Sequence, residues 1–301
     1  MAIPRVEYQP RLPDATGVEV LRISRICHDG GEMQLSRPHR LNFYQLLLFD
    51  HGEGWHTVDF SEYQVTVGSL VLVSPGQVQQ FRLGSGLDAW LLPIRPDFLS
   101  AGLAGVQPVA IFEQAQLSPV MTLSAEGFTA LADEIRLLTA ELERRPDAFL
   151  AGIAVRRLET LLLLAARHAA GRLSPLLAHH YYPLYRAYRH LLDESLLAGE
   201  GERRVSYYAG CLSCSDKTLN RAVQAIAGQS IKQDIDHRIA LEAQRRLVHT
   251  DLTVKQIAYS LGFSEPTNFN KFFRREVGLA PERWRAEKAG RVELPACPSG
   301  Q

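Results

Sequence analysis

The last hundred residues contain an internal repeat, and no other feature constrains the fold as strongly. Ala209-x-x-Leu212-Ser213-Cys214-Ser215 aligns with Ala258-x-x-Leu261-Gly262-Phe263-Ser264, and Leu219-Asn220-Arg221-x-Val223 aligns with Phe269-Asn270-Lys271-x-Phe273. The second copy carries one extra residue in between, and the copies end on Gly228 and Gly278. Each copy reads as a helix, a tight turn and a second helix, with Ser215 and Ser264 placed to cap the free N–H groups of that second helix. Two such units form a paired helix-turn-helix arrangement. Between them Ile231, Ile235, Ile239, Ala243 and Leu247 step by four and predict one continuous helix over Ser230–Thr250. About 20 residues at 1.5 Å each span roughly 30 Å, close to the ~34 Å turn of B-DNA. A linker of that length suits two recognition helices set in successive major grooves.

Charge agrees with this reading. The chain of 301 residues has 33 Lys/Arg and 33 Asp/Glu, a net charge of zero. Residues 203–301 hold 16 basic against 10 acidic groups, and residues 1–202 hold 17 against 23. An acidic body with a basic end suits a polyanion partner at that end. Four scattered cysteines, Cys27, Cys211, Cys214 and Cys297, are too few for a disulfide framework and fit a reducing cytoplasm. In the repeat Cys214 takes the place of Phe263, so the Cys211/Cys214 pair reads as core packing, not as a metal or redox site. Met1–Pro10 lacks a secretory signal, and the longest apolar run, Leu161–Ala166, is far too short to span a membrane. The expected location is the cytoplasm, with no membrane partner.

The front half has the periodicity of strands. Val18–Arg25 alternates, and Phe43–Phe49, Trp55–Phe60, Leu70–Val73, Gln77–Leu83 and Asp88–Ile94 are short runs divided by glycine- and proline-marked turns. This predicts an all-β barrel or sandwich. Phe128, Leu131, Ile135, Leu138 and Leu142, then Leu150, Ile153, Leu158, Leu161, Leu162 and Ala165, recur at helical steps and predict an antiparallel helix pair ended by Gly171. The expected layout is a domain of strands and the helix pair over 1–172, a connecting segment over 173–202, and the paired helix-turn-helix domain over 203–301. The connection should contain a short helix, Pro183–Leu197, and an exposed stretch, Ala198–Arg204.

Two tracts resemble the AraC/XylS family of regulators. Arg238-x-x-x-Glu242-Ala243-x-x-x-Leu247, Ile257-Ala258-x-x-Leu261-Gly262-Phe263, Phe269, Phe272-Phe273-Arg274, Gly278, Pro281 and Arg285 are similar to its DNA-binding signature. Ser213 stands where glycine is frequent, and Ala222-Val223 replace bulkier residues. The tract from Tyr44 through Gly54, Asp59, Tyr63, Gly68 and Pro75-Gly76-Gln77 resembles its cupin-like sensing domain. The implied fold is α+β: an N-terminal cupin-like β-barrel with a helical pair, then an all-α double helix-turn-helix domain. The resemblance implies a ligand-responsive transcription regulator, such as an activator, that binds duplex DNA, works with RNA polymerase and forms a homodimer. Leu158, Leu161 and Leu162 are candidate dimer contacts, unless their stripe simply caps the barrel.

With the apolar residues of each second helix facing inward, the DNA-reading candidates are Asp216, Lys217, Thr218, Asn220, Arg221 and Gln224 in unit one. In unit two they are Glu265, Thr267, Asn268, Asn270, Lys271, Arg274 and Arg275. Amides pair with adenine edges and Arg or Lys with guanine, while Arg203, Arg204, Lys232 and Lys255 suit phosphates. In the barrel, Arg25, Arg37, His39 and Arg40 with the flat walls of Trp55 and Trp90 suit a small organic anion. Arg37 and Arg40 suit equally a phosphate-bearing nucleotide messenger. The competing class is a cupin enzyme with an accessory DNA-binding tail. Gln77, Gln79 and Gln80 stand where metal cupins place histidines, and amides are poor transition-metal ligands. His39, His51 and His56 keep the enzyme class open, but no catalytic residue, metal site or cofactor is implied.

Overall fold

The structure is a computed structural model that describes residues 5–6, 17–84, 86–96, 111–112, 115, 119–168 and 179–289. These fall into two compact units, one within Pro4–Ala178 and one within His179–Gln301. Gly171, Cys297 and the expected domain boundary at 172/173 lie outside the described residues.

The first unit is built on two five-stranded sheets. One has the order β1 (Arg5–Val6), β3 (His39–Leu41), β8 (Val78–Arg82), β5 (Glu53–Val58), β6 (Ser61–Thr66). The other has β10 (Val120–Thr122), β7 (Ser69–Val73), β4 (Tyr44–His51), β9 (Asp88–Ile94), β2 (Leu21–Arg22). Leu47, Phe49, Val71, Val73, Phe81 and Leu91 from both sheets form one interior cluster. Alternation puts Leu46, Leu48, Leu70, Leu72 and Leu92 on the other face, yet these too are fully buried. Strands β4 and β7 are therefore covered on both sides, which is why they read as unbroken apolar runs.

The strand predicted over Val18–Arg25 ends early. The chain leaves the sheet at Arg22 and turns into α1 (Ile23–Ile26), a wide turn, and α2 (Glu32–Ser36). Asp88 accepts the Ser24 backbone N–H at 2.9 Å and its hydroxyl at 2.8 Å, while Arg22 is held by Asp50 and Asp88. An acid from β9 thus satisfies the first turn of the helix, a contact 64 residues away that alternation cannot register.

The predicted helix pair is α3 (Ala125–Leu142) and α4 (Leu150–His168). Arg157 reaches Glu134 at 3.1 Å, and the start of α3 meets the end of α4 where Gly127 adjoins the His168 ring, so the helices are antiparallel. Leu158, Leu161 and Leu162 are fully buried within the chain. They are core residues that hold the pair in place, which removes them as dimer contacts. The exposed apolar residues of the pair are Leu137, Phe149, Ile153 and Leu163.

The second unit contains α5 (Tyr182–Ala198), α6 (Val205–Cys211), α7 (Asp216–Ala227), α8 (Ile231–His249), α9 (Val254–Ser260), α10 (Pro266–Val277) and α11 (Pro281–Ala289). The stripe Ile231, Ile235, Ile239, Ala243 and Leu247 is buried along α8 and shares one core with Leu219 and Val223 of α7 and Phe269, Phe272 and Phe273 of α10.

Candidate nucleic-acid interface

The two repeat units close with matching hydrogen bonds. Leu212 N–H donates to Tyr208 C=O, Ser213 to Gly210 and Cys214 to Ala209; Leu261 donates to Ile257, Gly262 to Tyr259 and Phe263 to Ala258. The turn needs a left-handed residue: Gly262 has φ +78, and Ser213 takes φ +51 in its place at a cost of about 1–2 kcal/mol. The following helices start differently. Ser215 caps α7, accepting the Thr218 N–H at 3.1 Å. Ser264 does not cap α10; the extra residue moves the N-cap to Glu265, with no side-chain cap, and Pro266 supplies the preset φ of the first turn.

Leu219, Ala222 and Val223 anchor α7, and Phe269, Phe272 and Phe273 anchor α10. The opposite faces present the same pattern. Lys217, Arg221 and Gln224 are exposed on α7; Thr267, Asn270, Lys271 and Arg274 are exposed on α10. A groove of about 480 Å³ beside α10 is lined by Val254, Lys255, Asn270, Lys271, Arg274 and Pro281. Asp216 and Glu265 are exposed at the helix starts, Thr218 is half-buried with its hydroxyl on Ser215, and Asn268 is exposed on a flank.

Two further candidates have internal partners. Asn220 Oδ1 accepts the Ile231 N–H at 3.0 Å, so it ties α7 to the start of α8. Arg275 bonds Asp236 at 2.9 Å and Glu276 at 2.7 Å. Among the cations assigned to phosphates, Arg204 pairs with Glu202, which holds that carboxyl down at about 2, and Arg203 packs inward. Lys255 remains exposed.

The helices are clamped by buried charges that the sequence did not reveal. Asp234 accepts from Tyr188 Oη at 2.9 Å, from Arg189 at 2.9 Å and from Gln229 at 2.9 Å. Burial, and then this carboxylate, push the Tyr188 hydroxyl pKa far up. Further along α8, Arg238 pairs with Asp193, and Arg246 donates to Glu242, to Ser260 Oγ at 2.7 Å and to the Leu196 carbonyl at 2.6 Å. Arg285 donates to the Leu247 carbonyl, in the open last turn of α8, and to the Leu252 carbonyl in the loop beyond it. Helix α5 therefore runs as a splint along the linker helix.

In the first unit the six effector candidates do not converge. Arg25 and Arg37 are exposed. Trp55 is exposed on the outer face beneath Arg82, 5.3 Å away. Trp90 lies between Arg22 at 4.8 Å and Arg136 at 5.5 Å. His39 and Arg40 are both buried, on opposite faces of β3. The interior instead carries a chain of polar groups. Gln79 donates to Gln45 Oε1 at 2.7 Å and lies 3.0 Å from His39 Nε2, while its Oε1 lies 3.0 Å from His56 Nε2. His39 Nδ1 meets the Arg37 carbonyl at 2.9 Å. One assignment of protons satisfies every contact: both imidazoles are neutral, and His56 donates through Nε2. That leaves His56 Nδ1, buried and without a partner, as an open acceptor. Burial drops the His56 pKa to about 3, against Phe81 stacked at 4.2 Å.

Residues 208–287 match the family profile of a helix-turn-helix domain, and residues 23–155 match that of an AraC-like ligand binding domain. The chain belongs to the AraC/XylS family of transcription regulators. Its relatives include the HTH-type transcriptional activator RhaR of Enterobacter sp. (strain 638), 24% identical over 267 residues, covering 82% of this chain and 86% of the relative. The RhaR of Salmonella schwarzengrund (strain CVM19633) is 25% identical over 255 residues, with the same coverages of 82% and 86%. Among solved structures, the DNA-binding domain of AdpA in complex with a target DNA is 26% identical and covers 35% of this chain and 95% of that chain, with a TM-score of 0.32. Unsaturated fatty acid-bound ToxT from Vibrio cholerae is 14% identical, covers 92% and 97%, and has a TM-score of 0.37.

As an AraC/XylS-family protein the chain is a ligand-responsive DNA-binding regulator and not an enzyme. Its His39 and His56 meet through an amide, and among the described residues no three His, Cys, Asp or Glu side chains gather as a metal site. No helix among the described residues is long and apolar enough to cross a membrane. The cysteine pair divides: Cys214 packs against the regulator's helical core as expected, whereas Cys211 is exposed on α6.

Proposed function

We propose that this regulator reads two half-sites of duplex DNA with the exposed faces of α7 and α10. One observation carries the reading: Lys217, Arg221 and Gln224 recur as Thr267, Lys271 and Arg274 at the same helical positions of the two units. Helix α8, with 19 residues, spans about 28 Å, close to the ~34 Å of one DNA turn. Arg221, Lys271 and Arg274 suit guanine edges or phosphates, and Gln224 and Asn270 suit adenine. Selection of a random duplex library on the full chain tests this. Two enriched elements about one turn apart are expected, and enrichment of a single short element would overturn it.

The effector reading follows from the interior chain of hydrogen bonds. An open acceptor on a neutral, buried imidazole favours a ligand that donates, such as a hydroxyl, and disfavours a carboxylate. An uncharged hydroxyl-bearing molecule therefore fits better than the organic anion or the nucleotide phosphate. The anion reading retains one foothold, Arg40, buried on β3. Calorimetry with panels of neutral polyols and of organic carboxylates separates the two. Carboxylate binding abolished by Arg37→Gln and Arg40→Gln would restore the anion.

The exposed apolar side chains Ile153 and Leu163 on α4, with Phe149 just before its start, support a homodimer, since an exposed apolar stripe favours a partner surface. An activator that contacts RNA polymerase, acting in the cytoplasm, completes the proposed function.

A further inference from the structure

The segment after α5, expected to be exposed, is pinned to the second reading unit. Gly201 is buried at φ +52, its backbone flush against the Leu261–Gly262 turn. A Cβ on Gly201 would overlap the Leu261 backbone, and one on Gly262 would overlap the Gly201 carbonyl oxygen. Two residues on, Arg203 lays its guanidinium 4.0 Å from the ring centre of Phe263 and 5.2 Å from that of Phe272. Its Nη2 lies 3.6 Å from Asp236 of α8. On the other flank Arg275 sits 5.4 Å from the same Phe272 ring and bonds Asp236 at 2.9 Å.

One side chain therefore touches the turn of unit two, its reading helix and the linker helix, while its own backbone leads directly into α6 of unit one. The planar guanidinium suits this: it stacks on aromatic faces while keeping a carboxylate partner at its edge. Arg203 Nε is buried without a hydrogen bond, so ring faces and Asp236 hold the group. The clamp adds a direct tie between the units beside α8, the shared core and the α5 splint.

We propose that Arg203 is a positioning residue that fixes the relative placement of α7 and α10, and so the base-pair spacing at which the two half-sites are accepted. The proposal rests on both units reading DNA. It replaces the phosphate contact that sequence alone suggested for Arg203.

The test uses the full chain and a duplex enriched by it from a random library, together with versions carrying one or two base pairs inserted between the half-sites. The wild-type chain should lose roughly tenfold in affinity on insertion, the scale of one mismatched pair. Arg203→Ala should shrink that penalty to within about threefold. Its salt slope on the parent duplex should stay unchanged, because no phosphate contact has been removed. Arg203→Lys, which keeps the charge without the planar stack, should behave like Arg203→Ala. Gly201→Ala, which displaces the same contact from the other side, should also relax the spacing. If Arg203→Ala does not fold, Arg203→Met keeps the aliphatic packing and serves in its place. An unchanged insertion penalty in these variants would overturn the proposal alone. So would a salt slope lowered by about one in Arg203→Ala and restored in Arg203→Lys. A wild-type chain indifferent to insertion would overturn the two-unit reading itself.

Discussion

His56 makes the front domain sensitive to acid. Its imidazole is fully buried, and its pKa falls from 6.5 to about 3, chiefly because burial penalises the charged form. In the unfolded chain the ring takes up a proton near pH 6.5, while in the folded domain it does not until about pH 3. Between those values the unfolded state binds more protons, so stability falls as pH falls. At 1.36 kcal/mol per pH unit the whole window amounts to about 5 kcal/mol, of which about 2 kcal/mol is lost between pH 7 and pH 5. His39, also buried and lowered, acts in the same direction. The assay is urea unfolding followed by the fluorescence of Trp55 and Trp90 in a Trp284→Phe background, at pH 7 and pH 5, for the parent and for His56→Gln. The variant should lose about 2 kcal/mol less than the parent between the two pH values, whatever its stability at pH 7. Equal losses in both proteins would refute the neutral buried imidazole, and with it the open acceptor offered to the effector.

Asp234→Ala should cost about 3–5 kcal/mol, because it removes the buried carboxylate to which Tyr188, Arg189 and Gln229 all donate, and hydrogen exchange of α5 and α8 in the full chain would register the loss. Ser213→Gly should stabilise the first turn by about 1 kcal/mol, read as a higher unfolding midpoint. Lys271→Ala should cost about 1–3 kcal/mol of operator affinity with the fold intact if it reads a base. Asn220→Ala should instead lower helical stability, by about 0.5–2 kcal/mol, without relaxing base preference. Phe149→Glu with Ile153→Glu should convert the proposed dimer to monomer in light scattering, whereas Leu158→Ala should cost about 2–5 kcal/mol of stability and leave the mass unchanged.

The repeat, the helix stripes and most barrel strands were legible because each is a local signal, written by neighbours three, four or two positions apart. The α8 stripe and the anchors Leu219, Val223, Phe269 and Phe273 are buried as their spacing implied. The inward direction of polar side chains was not legible, because its cause lies far along the chain. Arg275 finds Asp236 across 39 residues, Asp234 finds Tyr188 across 46, and Gln79 joins His39 and Gln45 from strands 40 and 34 residues away. Sequence periodicity marks Arg203 and Lys255 alike as cations near a helix start. Only packing separates them, since the rings of Phe263 and Phe272 lie beside Arg203 while Lys255 is left exposed on the rim of the groove beside α10. The same holds for Leu158 against Ile153: both sit on one apolar stripe, and the tertiary contact of α3 decided which one is core and which faces outward. A local pattern fixes which face of an element is apolar, but whether that face meets the chain itself or a partner depends on elements the pattern does not contain.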